Sequence, residues 1–549
     1  MKPFFQIFLL CLLPLTGSSL SFFQKQLSDE ELKEKIAAEM SLDEKIGQLF
    51  MLGYPEADPD DFILEEIRSG RVGNVKIFGW NATDTGVVAE AVAKMQKAAA
   101  ETRFEIPLFT ATDQEGGWIR HVKGNTSVTP GNNAIGATGK LFDAYESGRL
   151  IAAELRVIGI NMNFAPVVDL FDNPEADLIG PRTFSSDPHE TAALAIAFFH
   201  GQESSRVLST AKHFPGHGRT GLDSHIYMPR IRVSEKELKQ HELIPFSFLV
   251  KEKIPAIMSG HLNFPEVTGE NVSASLSPHA LKDLLRDEMG FKGLVITDDL
   301  LMGGAQKPGV GYPDIPAECI RAGNDIVLIS KDYRYYRDAF KVIRELCLED
   351  AEFMNEVERA VRRVLTAKIE YLRNDDRVPL YPTKANAEEL PLEESTAYQQ
   401  SLALRAVTAA APIKTIEKTT PLLLAGSYRN FSRAGSEIFT DSRFFFIRDF
   451  SRGTNQYEIA DEIAALAEAE NRIVVLLVSD TETAAVGRVL NRREVPCILF
   501  SSLNPYRARD ILLPEQSILY LYGVGFESFK AGFSALVGDF VPQGHLPIQ

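Results

Sequence analysis

Three of the chain's ten histidines fall in one short stretch, Lys212-His213-Phe-Pro-Gly-His217-Gly-Arg-Thr-Gly-Leu-Asp223-Ser-His225. Asp223 and His225 stand two residues apart, close enough for the carboxylate to bond one imidazole nitrogen. Such a bond fixes the tautomer and stabilises the imidazolium, leaving the other nitrogen to give or take a proton near neutral pH. Pro215, Gly216, Gly218 and Gly221 make the stretch a permissive loop that can fold over a ligand. A buried, satisfied histidine is the plainer reading of His217 taken alone. All three histidines and Asp223 are possible metal ligands, but His213 and His217 share a face only in a helix, which Pro215 and the glycines oppose. No metal site is expected.

Three further stretches carry polar groups suited to chemistry. In Gly293-Leu-Val-Ile-Thr-Asp298-Asp299-Leu300 a carboxylate ends an apolar run, which is costly unless a solvated site receives it. One of the two aspartates is a candidate for that role, and the other can cap the following helix. Thr112-Asp113-Gln-Glu-Gly-Gly117 ends another apolar run on a glycine turn, and Ile179-Gly-Pro-Arg182 places an arginine in a loop. Gathered at one opening, these carboxylates, cations and imidazoles suit recognition of a polyhydroxylated ligand by many hydrogen bonds.

The elements that must position them are short β-branched runs, each followed by a helical stretch, at residues 74–78, 106–112, 160–168, 207–212, 256–261, 294–297 and 326–330. Before them Ser41-Leu-Asp-Glu44 forms a capping box that opens a helix with Ile46, Leu49 and Phe50 on one face. Polar residues end nearly every run: Asp113, Asp169, Lys212 with His213, His261 and Asp298. Only a closed (β/α)8 TIM-type barrel brings so many strand ends to one mouth. Fold class is therefore α/β, with a barrel over 25–375, a Pro-rich and charged linker at 376–395, and a smaller C-terminal αβα sandwich-like domain at 396–549. Neither domain shows a glycine-rich nucleotide-binding turn, and no cofactor is expected.

Whole-chain composition agrees. The chain has 549 residues, 45% hydrophobic and 24% charged, and a net charge of -17, which argues against nucleic acid or anionic lipid as a partner. Four cysteines without paired spacing exclude a disulfide scaffold and a zinc finger. Lys2 and the apolar run from Phe4 to Leu15 read as a signal peptide at 1–20, too short for a transmembrane anchor, so an exported, periplasmic or secreted protein is expected.

The motifs quoted above resemble glycoside hydrolase family 3, specifically its two-domain β-N-acetylglucosaminidase branch. The likeness is strong over residues 40–375 and looser beyond. Lys212-His-Phe-Pro-Gly-His-Gly with Asp223-Ser-His225 is its most specific part, and Thr297-Asp298 and Asp113-Gln-Glu-Gly-Gly117 add two segments. The resemblance implies an exo-acting, retaining hydrolase of terminal β-GlcNAc on peptidoglycan-derived muropeptides or related glycans. Asp298 would be the nucleophile and Asp223 with His225 the acid/base dyad. Asp113, Arg182, Lys212 and His213 would bind the sugar, with Lys212 or Arg182 favouring the ionised nucleophile. The family's arginine eight positions after the aspartate is replaced by His121, with Arg120 just before it; either Arg120 reaches the site through a backbone shift or that contact is weaker. Alternatives are a phosphorylase or a β-glucosidase or xylosidase of the same family, or a catalytically silent cell-wall-binding protein.

Overall fold

The computed structural model describes residues 20–269, 271–373, 378–448, 455–509, 511 and 518–548. Residues 1–19 of the expected leader, and Cys11 with them, lie outside the described residues. Among the described residues no helix is long and apolar enough to cross a membrane.

Eight parallel strands close into a barrel in chain order: β1 (Phe50–Leu52), β2 (Asn74–Lys76), β3 (Phe109–Thr112), β4 (Met162–Asn163), β5 (Leu208–Phe214), β6 (Ala256–Ser259), β7 (Leu294–Asp299) and β8 (Ile326–Ile329). Seven coincide with the runs expected from sequence, and β1 does not. The capping box at Ser41 forms, but its helix Leu42–Gln48 stops early. Phe50, expected on that helix's apolar face, opens β1 between β2 and β8 instead. A three-residue strand buried throughout shows no alternation for the sequence to reveal.

Two strands carry an extra residue that matters for the site. Ala211 pairs with Ile257 but Phe214 with Ser259, so β5 bulges across Lys212 and His213. Likewise Ile326 pairs with Ile296 but Leu328 with Asp299, so β7 bulges at Thr297 and Asp298. In a regular strand neighbours point to opposite faces; a bulge re-aims them. Lys212 with His213, and Asp298 with Asp299, thereby all line one cavity.

Beyond the barrel a six-stranded sheet runs β9 (Thr408–Ala409), β14 (Ile518–Tyr522), β13 (Cys497–Ser502), β12 (Ile473–Val478), β10 (Leu422–Gly426), β11 (Ser442–Phe446), parallel except for β9. Separate apolar clusters cover its two faces, as a sandwich requires. Its four central strands are apolar runs, while the edge strands β9 and β11 are short or half-exposed. Of the expected linker, residues 378–392 pack on the barrel, with Ala387 and Leu390 in its core. Cys319, Cys347 and Cys497 are free and buried.

The sheet domain braces the barrel's loops. Arg507 pairs with Glu175 (2.9 Å) and Asp177 (2.7 Å), and Asn504 donates to Asp177 at 2.6 Å. These residues lie just before the turn Gly180–Arg182, so the second domain supports the loop that carries Arg182.

Candidate active site

The strand ends enclose a cavity of about 490 Å³ at the barrel mouth. Asp113, Arg182, Lys212, His213, His225 and Asp298 line it, and Asp223 sits behind His225. All seven residues expected from sequence are therefore gathered at one opening.

On the cavity floor the Lys212 ammonium donates to Asp113 (2.5 Å) and Glu115 (2.6 Å). Arg182 holds Glu115 through two parallel bonds of 2.7 and 2.8 Å, and Lys76 at the end of β2 pairs with Asp113. Burial raises the Asp113 carboxyl, but Lys212, Lys76 and His121 outweigh it and hold the group well below the usual range. Glu115 is likewise lowered, with Arg182 and Lys212 overcoming burial. Two of the three Lys212 donors are spent inside the protein. Glu115 and Lys76 were not singled out by sequence reasoning. The signal was present in Glu115, inside a quoted motif, and in Lys76, a charge closing a buried strand.

His213 is held by Asp169, with Nδ1 and Oδ2 at 2.7 Å and its backbone N–H on Oδ1. The same Asp169 oxygen accepts the His217 N–H at 2.7 Å. Asp169 is fully buried, yet His213 and His217 overcome that burial and bring its carboxyl down to about 2. His217 is buried, as its plainer reading had it, but not fully satisfied, since its Nδ1 has no hydrogen-bond partner among the described residues. Burial pulls its pKa down to about 4 in spite of Asp169. Its Nε2 meets Ser224 Oγ at 3.0 Å, and Ser224 stands between Asp223 and His225.

The dyad itself forms. Asp223 Oδ1 lies 2.7 Å from His225 Nδ1 and accepts the His225 backbone N–H at 2.9 Å. Gly303 and Gly304, just after β7, donate their N–H groups to the carbonyls of His225 and Ser224. The segment following Asp298 thus docks the loop carrying His225. A Cβ at Gly303 would come within 2.1 Å of the Ile226 carbonyl, so that approach requires glycine.

Asp298 is half-buried and accepts the Asp299 N–H at 2.8 Å. Burial drives its carboxyl up, but His213, His261 and that N–H prevail and hold it below the usual aspartate range. This corrects the expectation that Lys212 or Arg182 keeps Asp298 ionised: both cations are committed to Asp113 and Glu115. Asp299 caps a turn rather than a helix, its Oδ1 accepting from Leu301 and Ser330. Of the Arg120 and His121 pair, His121 lines the cavity, 3.5 Å from Asp113. Arg120 turns away to the carbonyls of Thr126 and Ser127. The backbone-shift alternative therefore fails.

Residues 41–367 match the family described as "Glycosyl hydrolase family 3 N terminal domain". The chain is 35% identical over 274 residues to β-hexosaminidase A of Pseudoalteromonas piscicida, covering 47% of this chain and 46% of that protein. It is 37% identical over 267 residues to a β-hexosaminidase of Tolumonas auensis, covering 48% of this chain and 77% of the relative. Among solved structures it resembles a glycoside hydrolase family 3 β-N-acetylglucosaminidase from Paenibacillus sp. str. FPU-7. There the TM-score is 0.82 at 28% identity, over 93% of this chain and 99% of the other.

Proposed function

The chain belongs to glycosyl hydrolase family 3 and is a glycosidase, and from that premise we propose that it is a retaining, exo-acting β-N-acetylglucosaminidase. The observation carrying this reading is the pairing of Asp223 with His225 at 2.7 Å on a loop docked beside the Asp298 strand. Two carboxyl-type roles are needed for retention, one attacking and one transferring protons. Asp298, held ionised, attacks the anomeric carbon while the protonated His225 gives its Nε2 proton to the leaving oxygen. Asp223 accepts from Nδ1 and stabilises the imidazolium. Water then enters, His225 takes its proton at Nε2, and the oxygen attacks the anomeric carbon to break the bond to Asp298.

Asp113, Arg182, Lys212 and His213 shape the sugar's seat. The pairing of Lys212 and Arg182 with Asp113 and Glu115 fixes that seat before substrate arrives, which lowers the orientation cost of binding. We assign GlcNAc-terminated muropeptides as the substrate class and an exported location to the protein, on the relatives' names, the motifs and the leader. The test is incubation with GlcNAc-anhydroMurNAc peptides and product identification by mass. Release of free GlcNAc with β configuration is expected. GlcNAc 1-phosphate appearing in phosphate buffer would instead make the enzyme a phosphorylase, and no turnover at all would sink the reading.

A further inference from the structure

Behind the cavity, Asp172, His241 and Glu242 each present one ligand atom, all within 4.8 Å of one another. Asp172 lies three residues beyond Asp169. His241 and Glu242 form the turn between helices Glu235–Gln240 and Leu243–Lys251. His241 Nδ1 stands 3.6 Å from Asp172 Oδ2 and 3.8 Å from Glu242 Oε2, beyond hydrogen-bond reach. All three atoms are buried with no hydrogen-bond partner, and the Glu242 side chain is only 2% exposed. Its other oxygen holds Arg219, so Oε2 is left directed at the cluster. Buried polar atoms are satisfied in native proteins, and an unsatisfied trio of ligand atoms points to an ion.

The spacing and chemistry select the ion. Zinc bonds of about 2.0–2.1 Å set tetrahedral ligand atoms about 3.3 Å apart. His241 therefore need approach each carboxylate oxygen by only about half an ångström or less, while the two carboxylate oxygens, within 4.8 Å of each other, close by at most about 1.5 Å. One imidazole nitrogen and two carboxylate oxygens, with a position left for water, suit a first-row transition ion better than magnesium or calcium. We propose that Asp172, His241 and Glu242 form a zinc site that ties the loop after β4 to the root of the dyad loop. The local charge balance agrees. Two carboxylates crowd one imidazole there, and a dication relieves that crowding. Arg219 is the one permanent cation facing the cluster among the described residues, and it is already paired with Glu242.

The site reaches the dyad loop through packing. Gly216 lies so close to Glu242 that a Cβ there would be 2.9 Å from the Glu242 Cβ. Arg219 accepts at its carbonyl from Asn173 at 3.1 Å. Ordering Asp172 and Glu242 therefore orders residues 216–219, which lead to Asp223 and His225.

The full chain, stripped with chelator and titrated calorimetrically with zinc chloride, tests this. About one zinc per chain is expected. Asp172→Asn and His241→Gln should each weaken binding roughly tenfold or more. Amide exchange at residues 170–173 and 216–219 should slow on zinc addition in the unaltered chain, so a variant that misfolds does not remove the test. Absence of zinc binding, undiminished binding in both folded variants, preference for magnesium or calcium, or exchange protection confined to other segments would each overturn the proposal.

Discussion

At the floor of the cavity Lys212, Glu115, Arg182 and Asp113 are each at most 9% exposed and chained by ion pairs of 2.5–2.8 Å. At its rim Asp223 and His225 expose 39% and 58% of their side chains and meet through one oxygen. The difference fits the tasks proposed for the two regions. Groups that hold sugar hydroxyls gain from being fixed before binding, and a buried network with every charge paired stays fixed. A group that must give a proton, let a leaving group depart and then admit water gains from standing on a loop open to solvent. The cost is placed accordingly: removing a floor residue strands buried charges, while removing a rim residue strands none.

The largest effect expected is from Asp298→Ala, which removes the carboxylate lying between the two regions. It should lower kcat on a chromogenic β-GlcNAc substrate by roughly 10⁴-fold or more. Retention of most activity would dissolve the mechanistic role of both regions. Next, His225→Gln should lower kcat on a natural glycoside by roughly 10²–10⁴-fold while leaving the thermal midpoint in place. A large drop in that midpoint would show the rim to be as structural as the floor. Glu115→Gln should do the reverse. It leaves Arg182 and Lys212 short of a buried counter-charge and should cost roughly 3–5 kcal/mol in denaturant unfolding, with weakened substrate binding. An unchanged midpoint would refute the contrast.

The smallest effect is in pH dependence. Burial pulls both His217 and His121 down to about 4 in the folded protein, against about 6.5 when unfolded. Acidification from about 6.5 toward about 4 therefore protonates the unfolded chain first, so stability falls across that window. His217→Asn should flatten the slope of stability against pH between those limits. A slope that is unchanged, or of opposite sign, would remove His217 as the buried neutral latch between Asp169 and Ser224.

Much of the site was legible because its chemistry is clustered in the chain. Lys212, His213, Asp223 and His225 fall in one short stretch of chain, and Asp298 ends an apolar run where a carboxylate has no structural excuse. What escaped were relations rather than residues. Glu115 sits within a motif already noted, yet its part as the hub joining Arg182 to Lys212 depends on β3 and β5 converging in the closed barrel. Lys76 escaped for the same reason. The choice between Arg120 and His121 turned on a short hairpin, Gln114–Gly116 with Ile119–Arg120, whose geometry aims the histidine inward and the arginine out.

By itself the sequence determined the alternation of strands and helices, the family resemblance, and the presence of a carboxylate, an imidazole dyad and cations near strand ends. These are set by local pattern and residue type, which the chain displays directly. Tertiary structure alone decided which charges neutralise which. It paired Lys212 and Arg182 with Asp113 and Glu115, gave Asp298 to the fields of His213 and His261, and brought Asp172 to His241 and Glu242. Electrostatic energy depends on separation in space and on burial, and neither is a property of position along the chain.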